Sequence, residues 1–284
     1  SVEMTDNAYV RGYVTTLSPQ VSGYVVDVPV KDYQAVKAGD VVVRIDDRIY
    51  RQKLAQAEAT LDSQKAALAN SHQQEVSAKA NIVSSEASVS SAEAALTQAQ
   101  LASERQLNLT RSGVGTTSLQ EQAEAELEKS RAALRQAEAA LEVSRQQLQT
   151  IIVNRGSLEA AVASAEASVE LARIDLANTE IHAPRNGRVG EVGARLGQYV
   201  TAGTQLMAVV PDEVWVIANF KETQLLGMRV GQPVTVRVDA LGGREITGYI
   251  ERFSPAAASE FAVIRSDNAT GNFVKIAQRV GVRI

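Results

Sequence analysis

Large apolar residues recur every seventh position through the middle of this 284-residue chain. In one stretch they are Leu54, Leu61, Leu68, Ile82, Val89 and Leu96; in a second they are Leu127, Leu134, Leu141, Leu148, Val162, Val169 and Leu176. Seven residues lie close to two helical turns, so each set forms a seam along one helix that a partner helix can cover. Three positions on from the large residues come small ones: Ala57, Ala78, Ser85, Ala92 and Ala99 in the first arm, Ser130, Ala137, Ser144, Ala165 and Ala172 in the second. Large side chains facing small ones let two antiparallel helices approach closely. Between the arms, Ser112-Gly113-Val114-Gly115-Thr116-Thr117-Ser118 supplies glycines for a tight reversal and hydroxyls for a helix N-cap. The pattern predicts a helical hairpin over roughly residues 47–180, with its tip near 112–118.

Each arm misses one beat. The seventh position falls on Glu75 in the first arm and on Arg155 in the second, and the two are equidistant from Gly115. Folding at that glycine brings them within about one turn of each other, so Glu75 and Arg155 are expected to interact and to help set the register of the hairpin. Each arm has about 60 residues and, at about 1.5 Å per residue, reaches roughly 90 Å. A globular core does not need that reach; a contact with something distant does.

Composition narrows the function. The net charge is −4, and acidic and basic residues are interspersed along the arms as on solvated faces, which argues against a nucleic-acid binder. Aromatic content is only 4%, as expected of a thin hairpin without a thick core. There is no cysteine, which excludes disulfides and thiolate metal sites. His72 sits among Ser and Gln on a helix and reads as a solvated residue; His182, ahead of Ala183-Pro184, reads as structural, and the two are too far apart to suggest a metal constellation. No Ser-His-Asp arrangement, phosphate loop or dinucleotide glycine motif can be placed, so neither catalysis nor a cofactor is expected.

The flanks read as β-structure. Ala8 to Val14 alternates like a half-buried strand. Residues 20–46 form a small unit punctuated by glycine, and residues 186–210 repeat it at an offset of 164 without a gap: Gly23 with Gly187, Val25 with Val189, Val36 with Val200, Ala38-Gly39 with Ala202-Gly203. Neither half can bury a convincing core alone, so residues 18–46 and 181–211 are expected to form one β-domain that the hairpin splits. Beyond it, Trp215–Phe220, Val234–Val238 and Ile246–Ile250 read as strands, Lys221–Arg229 has helical spacing, and Asn272–Ile284 gives one or two further strands. With the N-terminal strand returning here, residues 1–17 and 212–284 are expected to make a small antiparallel barrel. The fold class is therefore α+β and elongated.

These features resemble a family, the periplasmic adaptors or membrane fusion proteins (the HlyD family) of efflux and type I secretion, in the EmrA-type branch. The resemblance rests on Thr5-Asp6-Asn7-Ala8-Tyr9-Val10, Gln20-Val21-Ser22-Gly23, the segment from Leu176 to Gly187, Asn219-Phe220-Lys221-Glu222-Thr223-Gln224, and Asn268-Ala269-Thr270-Gly271-Asn272-Phe273. It implies a lipoyl-like split domain, an anchor in the inner membrane upstream of residue 1, and a protein placed in the periplasm of a Gram-negative cell. It also implies three kinds of partner: an inner-membrane transporter of the major facilitator type, a TolC-like outer membrane channel, and further copies of the chain in a ring or dimer. Family members that dock on such channels by the tip carry an Arg, a Leu four on, and a Ser seven beyond. Here the pattern falls on Arg105, Leu109 and Thr116, and the loop Ser112, Gly113, Val114 and Gly115 completes the tip. Thr keeps the hydroxyl and adds a methyl group. Without the resemblance, Arg105 reads equally as a solvated charge and Leu109 as a seam residue. Asn219, Lys221, Glu222 and Gln224 would be transporter or protomer contacts on the same grounds, with helix-surface charge the alternative.

Two other functions fit parts of the chain. An adaptor of type I protein secretion would share the architecture, generally with longer helices. A lipoyl or biotinyl carrier would need an exposed lysine at the turn between its two halves; here the insertion replaces that turn, entered through Asp46-Asp47-Arg48.

Overall fold

The computed structural model describes residues 2–255 and 279–284. The chain divides into a β-rich unit, Ser1–Asp46 with Asn178–Ile284, and a helical unit, Asp47–Ala177.

The helical unit is two helices, α1 (Arg48–Arg111) and α2 (Thr117–Ala177), packed against each other along their length. The seven-residue rows predicted above are the ones that turn inward. Ala78, Ala99, Ala165 and Val169 are buried, as are the small polar residues Ser71, Ser130 and Ser144. The serines fit because they are small and because their hydroxyls find partners. Ser144 Oγ donates to the carbonyl of Ala140, one turn back, and lies 3.0 Å from Ser85 Oγ across the seam. That contact and the pairing of Arg173 with Glu58 at 3.9 Å place residues equidistant from the turn at the same height.

The β-rich unit contains two interleaved sheets. One runs β2 (Thr15–Leu17), β9 (Met207–Pro211), β7 (Gly187–Val189), β4 (Ala35–Val36); the other runs β6 (Glu180–His182), β5 (Val41–Ile45), β3 (Gly23–Asp27), β8 (Tyr199–Val200). Every pairing in them is antiparallel, and most join a strand that precedes the hairpin to one that follows it. The internal repeat explains the arrangement. Gly23 pairs with Val200, and its counterpart Gly187 pairs with Val36. Val25 N–H donates to Gln198 O, and Val189 N–H donates to Gln34 O. Gly39 N–H reaches Ala183 O, and Gly203 N–H reaches Pro19 O. The two halves thus exchange strands around an approximate two-fold axis and bury Val25, Val43 and Ile45 with Val189, Val200 and Val209 in a shared core. Gly187 has no alternative: a Cβ there would run into the Val210 carbonyl oxygen.

The C-terminal strands form a sheet of order β1 (Ala8–Arg11), β10 (Trp215–Lys221), β14 (Arg279–Arg283), β13 (Arg252–Phe253), beside a ribbon of β11 (Pro233–Val238) and β12 (Arg244–Tyr249). Ala218, Phe220, Ile250 and Val282 are their buried core.

Three details depart from expectation. The stretch Ala8–Val14 is not one half-buried strand: β1 ends at Arg11 with all four residues exposed, and β2 crosses over to pair with β9, so residues 15–17 join the interleaved sheets and not the C-terminal ones. Residues 221–229 do not form a helix. A single 3₁₀ turn at Glu222–Gln224 is followed by Gly227 at φ +96°, a left-handed backbone that ends any helical run. Of the strands expected over 272–284, β14 is seen; 272–278, like the motif Asn268–Phe273, lies outside the described residues.

Candidate functional site

Glu75 and Arg155 meet inside the seam, where Arg155 Nη2 donates to Glu75 Oε2. Their side chains are only 17% and 18% exposed. Charges this far removed from water are costly unless paired, and each is the main relief for the other. Lys79 Nζ adds a second contact to Glu75 at 3.0 Å, and His72 stands at 4.0 Å, both from exposed positions on α1. Arg155 Nε has no acceptor. The guanidinium therefore depends on Glu75, whereas Glu75 also has Lys79.

At the tip, the chain reverses between Arg111 and Thr117. Ser112 N–H donates to Asn108 O and its hydroxyl to Leu109 O, which closes α1. Gly113 takes φ +78°. Gly115 sits where a Cβ would meet Thr110 N and Oγ1 at 2.9 Å, so the tight return requires glycine there. Thr116 Oγ1 accepts from Leu119 N–H, the N-cap bond expected of this hydroxyl. What remains outward is Val114, 76% exposed, with Arg105 and Leu109 also exposed on α1. The tip thus combines an apolar knob, a rigid glycine turn and a nearby cation. Leu109 lies off the buried rows.

The residues singled out near β10 separate into two kinds. Asn219 N–H donates to Asn7 O and its amide to Asn7 Oδ1, while its carbonyl accepts from Thr5 Oγ1. Gln224 Oε1 accepts from Lys221 N–H, and its amide donates to Met4 O. Asn219 and Gln224 thus fasten the N-terminal segment. Lys221 and Glu222 stay exposed beside Leu226, which is 87% exposed.

No pattern in the sequence pointed to a cluster that forms where the N-terminal segment passes β10 and β14. Tyr13 and Trp215 pack with ring centroids 4.4 Å apart and planes tilted by 52°, and the Arg283 guanidinium lies 4.1 Å over the Trp215 ring. Arg283 Nη1 donates to Tyr13 Oη, and Nε stands 2.7 Å from Glu251 Oε2. The hydrogen bond to Tyr13 and the charge of Glu251 raise the Arg283 pKa, against the pull of burial. Glu251 is lowered below the ordinary carboxylate value, first by its hydrogen bond with Arg252. Tyr13, Trp215, Glu251 and Arg283 are far apart in sequence, and no spacing rule connects them.

Among the described residues no group of His, Asp and Glu could hold a metal ion, and no helix is long and apolar enough to cross a membrane.

A β-module whose two halves, separated in the sequence by a helical hairpin, interleave their strands defines a barrel-sandwich hybrid. Comparison with known proteins agrees: residues 13–212 match the barrel-sandwich hybrid domain of the RND-type membrane fusion proteins, and residues 213–261 match the CusB-like β-barrel domain. The chain belongs to the membrane fusion protein family, in its EmrA-type branch. It is 36% identical over 283 residues to the colistin resistance protein EmrA of Acinetobacter baumannii, covering 99% of this chain and 80% of that protein. It is 35% identical over 291 residues to the multidrug export protein EmrA of Escherichia coli, covering 99% of this chain and 70% of that one. A solved structure of the periplasmic adaptor EmrA aligns over 99% of this chain and 91% of its own, with a TM-score of 0.46 and 23% identity.

Proposed function

We propose that this chain is the periplasmic adaptor of a tripartite multidrug efflux system. It would link an inner-membrane transporter of the major facilitator type to a TolC-like outer membrane channel, and would act by spanning and docking rather than by catalysis. One observation carries the reading: helices of 64 and 61 residues, packed along a shared seam, end in a glycine turn that leaves Val114 76% exposed. At 1.5 Å per residue the longer arm measures about 96 Å. The names of the relatives, a resistance protein and an export protein, favour efflux over protein secretion. In this reading Arg105, Leu109, Val114 and Thr116 contact the channel, Lys221 and Glu222 face the transporter or a neighbouring copy, and a membrane anchor precedes residue 1.

The test is Arg105→Asp in the membrane-anchored protein. Export should be lost while the helical content is unchanged, because Arg105 is exposed and makes no bond that the helix needs. Unaltered export would count against tip docking. Cysteines placed at Ser112 and Glu222 should cross-link to the channel and to the transporter or a second copy, respectively.

A further inference from the structure

Between β10 and β11 two consecutive tight turns each hold an apolar residue out in water. In the first, Met228 N–H donates to Leu225 O at 3.1 Å and Gly227 takes φ +96°. In the second, Gln232 N–H donates to Arg229 O at 3.1 Å and Gly231 takes φ +84°. A left-handed glycine at the third position marks a type II turn, whose second position is an outer corner that commonly holds Pro. Here the two corners are Leu226 and Val230, 87% and 64% exposed. The core does not use them: Leu225 and Met228 are the residues that pack against Ala218, Phe220, Ile250 and Val282. Two neighbours extend the apolar surface. The Gln224 amide donates to Met4 O at 3.3 Å, which fastens exposed Met4 beside the first turn. Ile250 exchanges backbone hydrogen bonds with Gly231 and Gln232, so exposed Tyr249 adjoins the second.

We infer that Leu226 and Val230 dip into the headgroup layer of a lipid bilayer. The inference rests on the reading above in which a membrane anchor precedes residue 1. Ser1 to Met4 spans at most about 10 Å, so an anchored chain leaves the bilayer within reach of the turn that Met4 is bonded to. The chemistry of the turns suits lipid. Both corners are convex and aliphatic, whereas protein interfaces favour aromatic and Arg anchors seated in matching pockets. A bilayer interface takes up an apolar tip without any match of shape. Arg229, exposed between the corners, can lay its stem along them while its charge meets a phosphate. The Tyr249 ring, apolar with a polar end, belongs at the same boundary. Lys221 and Glu222 precede the first turn and remain for the protein contacts proposed above. Two aliphatic corners are too few to hold a free protein on a membrane. Their contact therefore orients a β-rich unit that is already tethered.

The test tethers the whole chain, by a histidine tag ahead of Ser1, to vesicles of phosphatidylethanolamine and phosphatidylglycerol that contain a nickel-chelating lipid. The tag supplies the proximity by itself, so failure here is separate from failure of the anchor, which membrane fractionation of the full-length protein reads. A nitrobenzoxadiazole label on Leu226→Cys or on Val230→Cys should shift its emission to the blue and be quenched by nitroxide-bearing lipid. The same label on Leu241→Cys, also exposed but at the other end of the β11–β12 ribbon about 20 Å away, should keep its emission in water. Adding Leu226→Asp should abolish the shift at Val230→Cys; the exposed site lets the fold tolerate the change, which the thermal melt checks. Emission at both corners that stays as in water, or a shift equally large at Leu241→Cys, would overturn the lipid contact. A shift that appears only when the transporter is present in the vesicles would overturn it in favour of a protein partner.

Discussion

The ion pair in the seam makes an asymmetric prediction. Glu75→Ala leaves the Arg155 guanidinium inside the seam without a charged partner, with Nε already lacking an acceptor. Removing one member of a fully buried pair costs about 3–5 kcal/mol. The side chains here are 17% and 18% exposed, so partial hydration lowers the expected cost to about 2–3 kcal/mol. Arg155→Ala should cost less, about 1–2 kcal/mol, because Lys79 still stands 3.0 Å from Glu75. Replacing both with Leu restores the heptad rows and should be neutral or stabilising by about 1 kcal/mol, and should relax the register of the hairpin. Urea unfolding followed by the helical signal measures all three stabilities. Register is read from a disulfide between Ser85→Cys and Ser144→Cys, whose native hydroxyls are 3.0 Å apart; its yield should fall in the double-Leu background. Equal costs below about 0.5 kcal/mol for both single changes would mean that the pair behaves as a surface ion pair, and the reasoning would be wrong.

Other outcomes follow from the β-rich unit and the tip. Gly187→Ala would force a Cβ onto the Val210 carbonyl and should cost more than about 3 kcal/mol; Gly39→Ala meets nothing within 4 Å but must hold φ +92°, so thermal melts should show a loss of only about 1 kcal/mol. Because folding lowers the Glu251 pKa, its contribution is present above the unfolded value of about 4.3 and is lost as pH falls through the lower folded value. An acid titration monitored at Trp215 should show that step, and Glu251→Gln should remove it. Thr116→Ala deletes the cap on Leu119 N–H and should cost about 0.5–2 kcal/mol of hairpin stability.

The hairpin was legible in the sequence because helical burial is periodic and local. The rows from Leu54 and Leu127 name the inward face, the glycines name the turn, and equal distance from Gly115 brings Glu75 to Arg155. The duplicated β-halves were legible too, since the offset of 164 never slips. Only the tertiary structure decided which strand bonds to which. Alternation says that one face of a strand is buried, but it does not name the strand that will supply hydrogen bonds, so the exchange of Gly23 with Val200 and of Gly187 with Val36 could not be read from either half. For the same reason β2 went to β9 rather than to the C-terminal sheet, and Tyr13, Trp215, Glu251 and Arg283 met without any spacing that foretold it. Local periodicity fixes the face that must leave water; the partner that covers it is chosen by the whole chain.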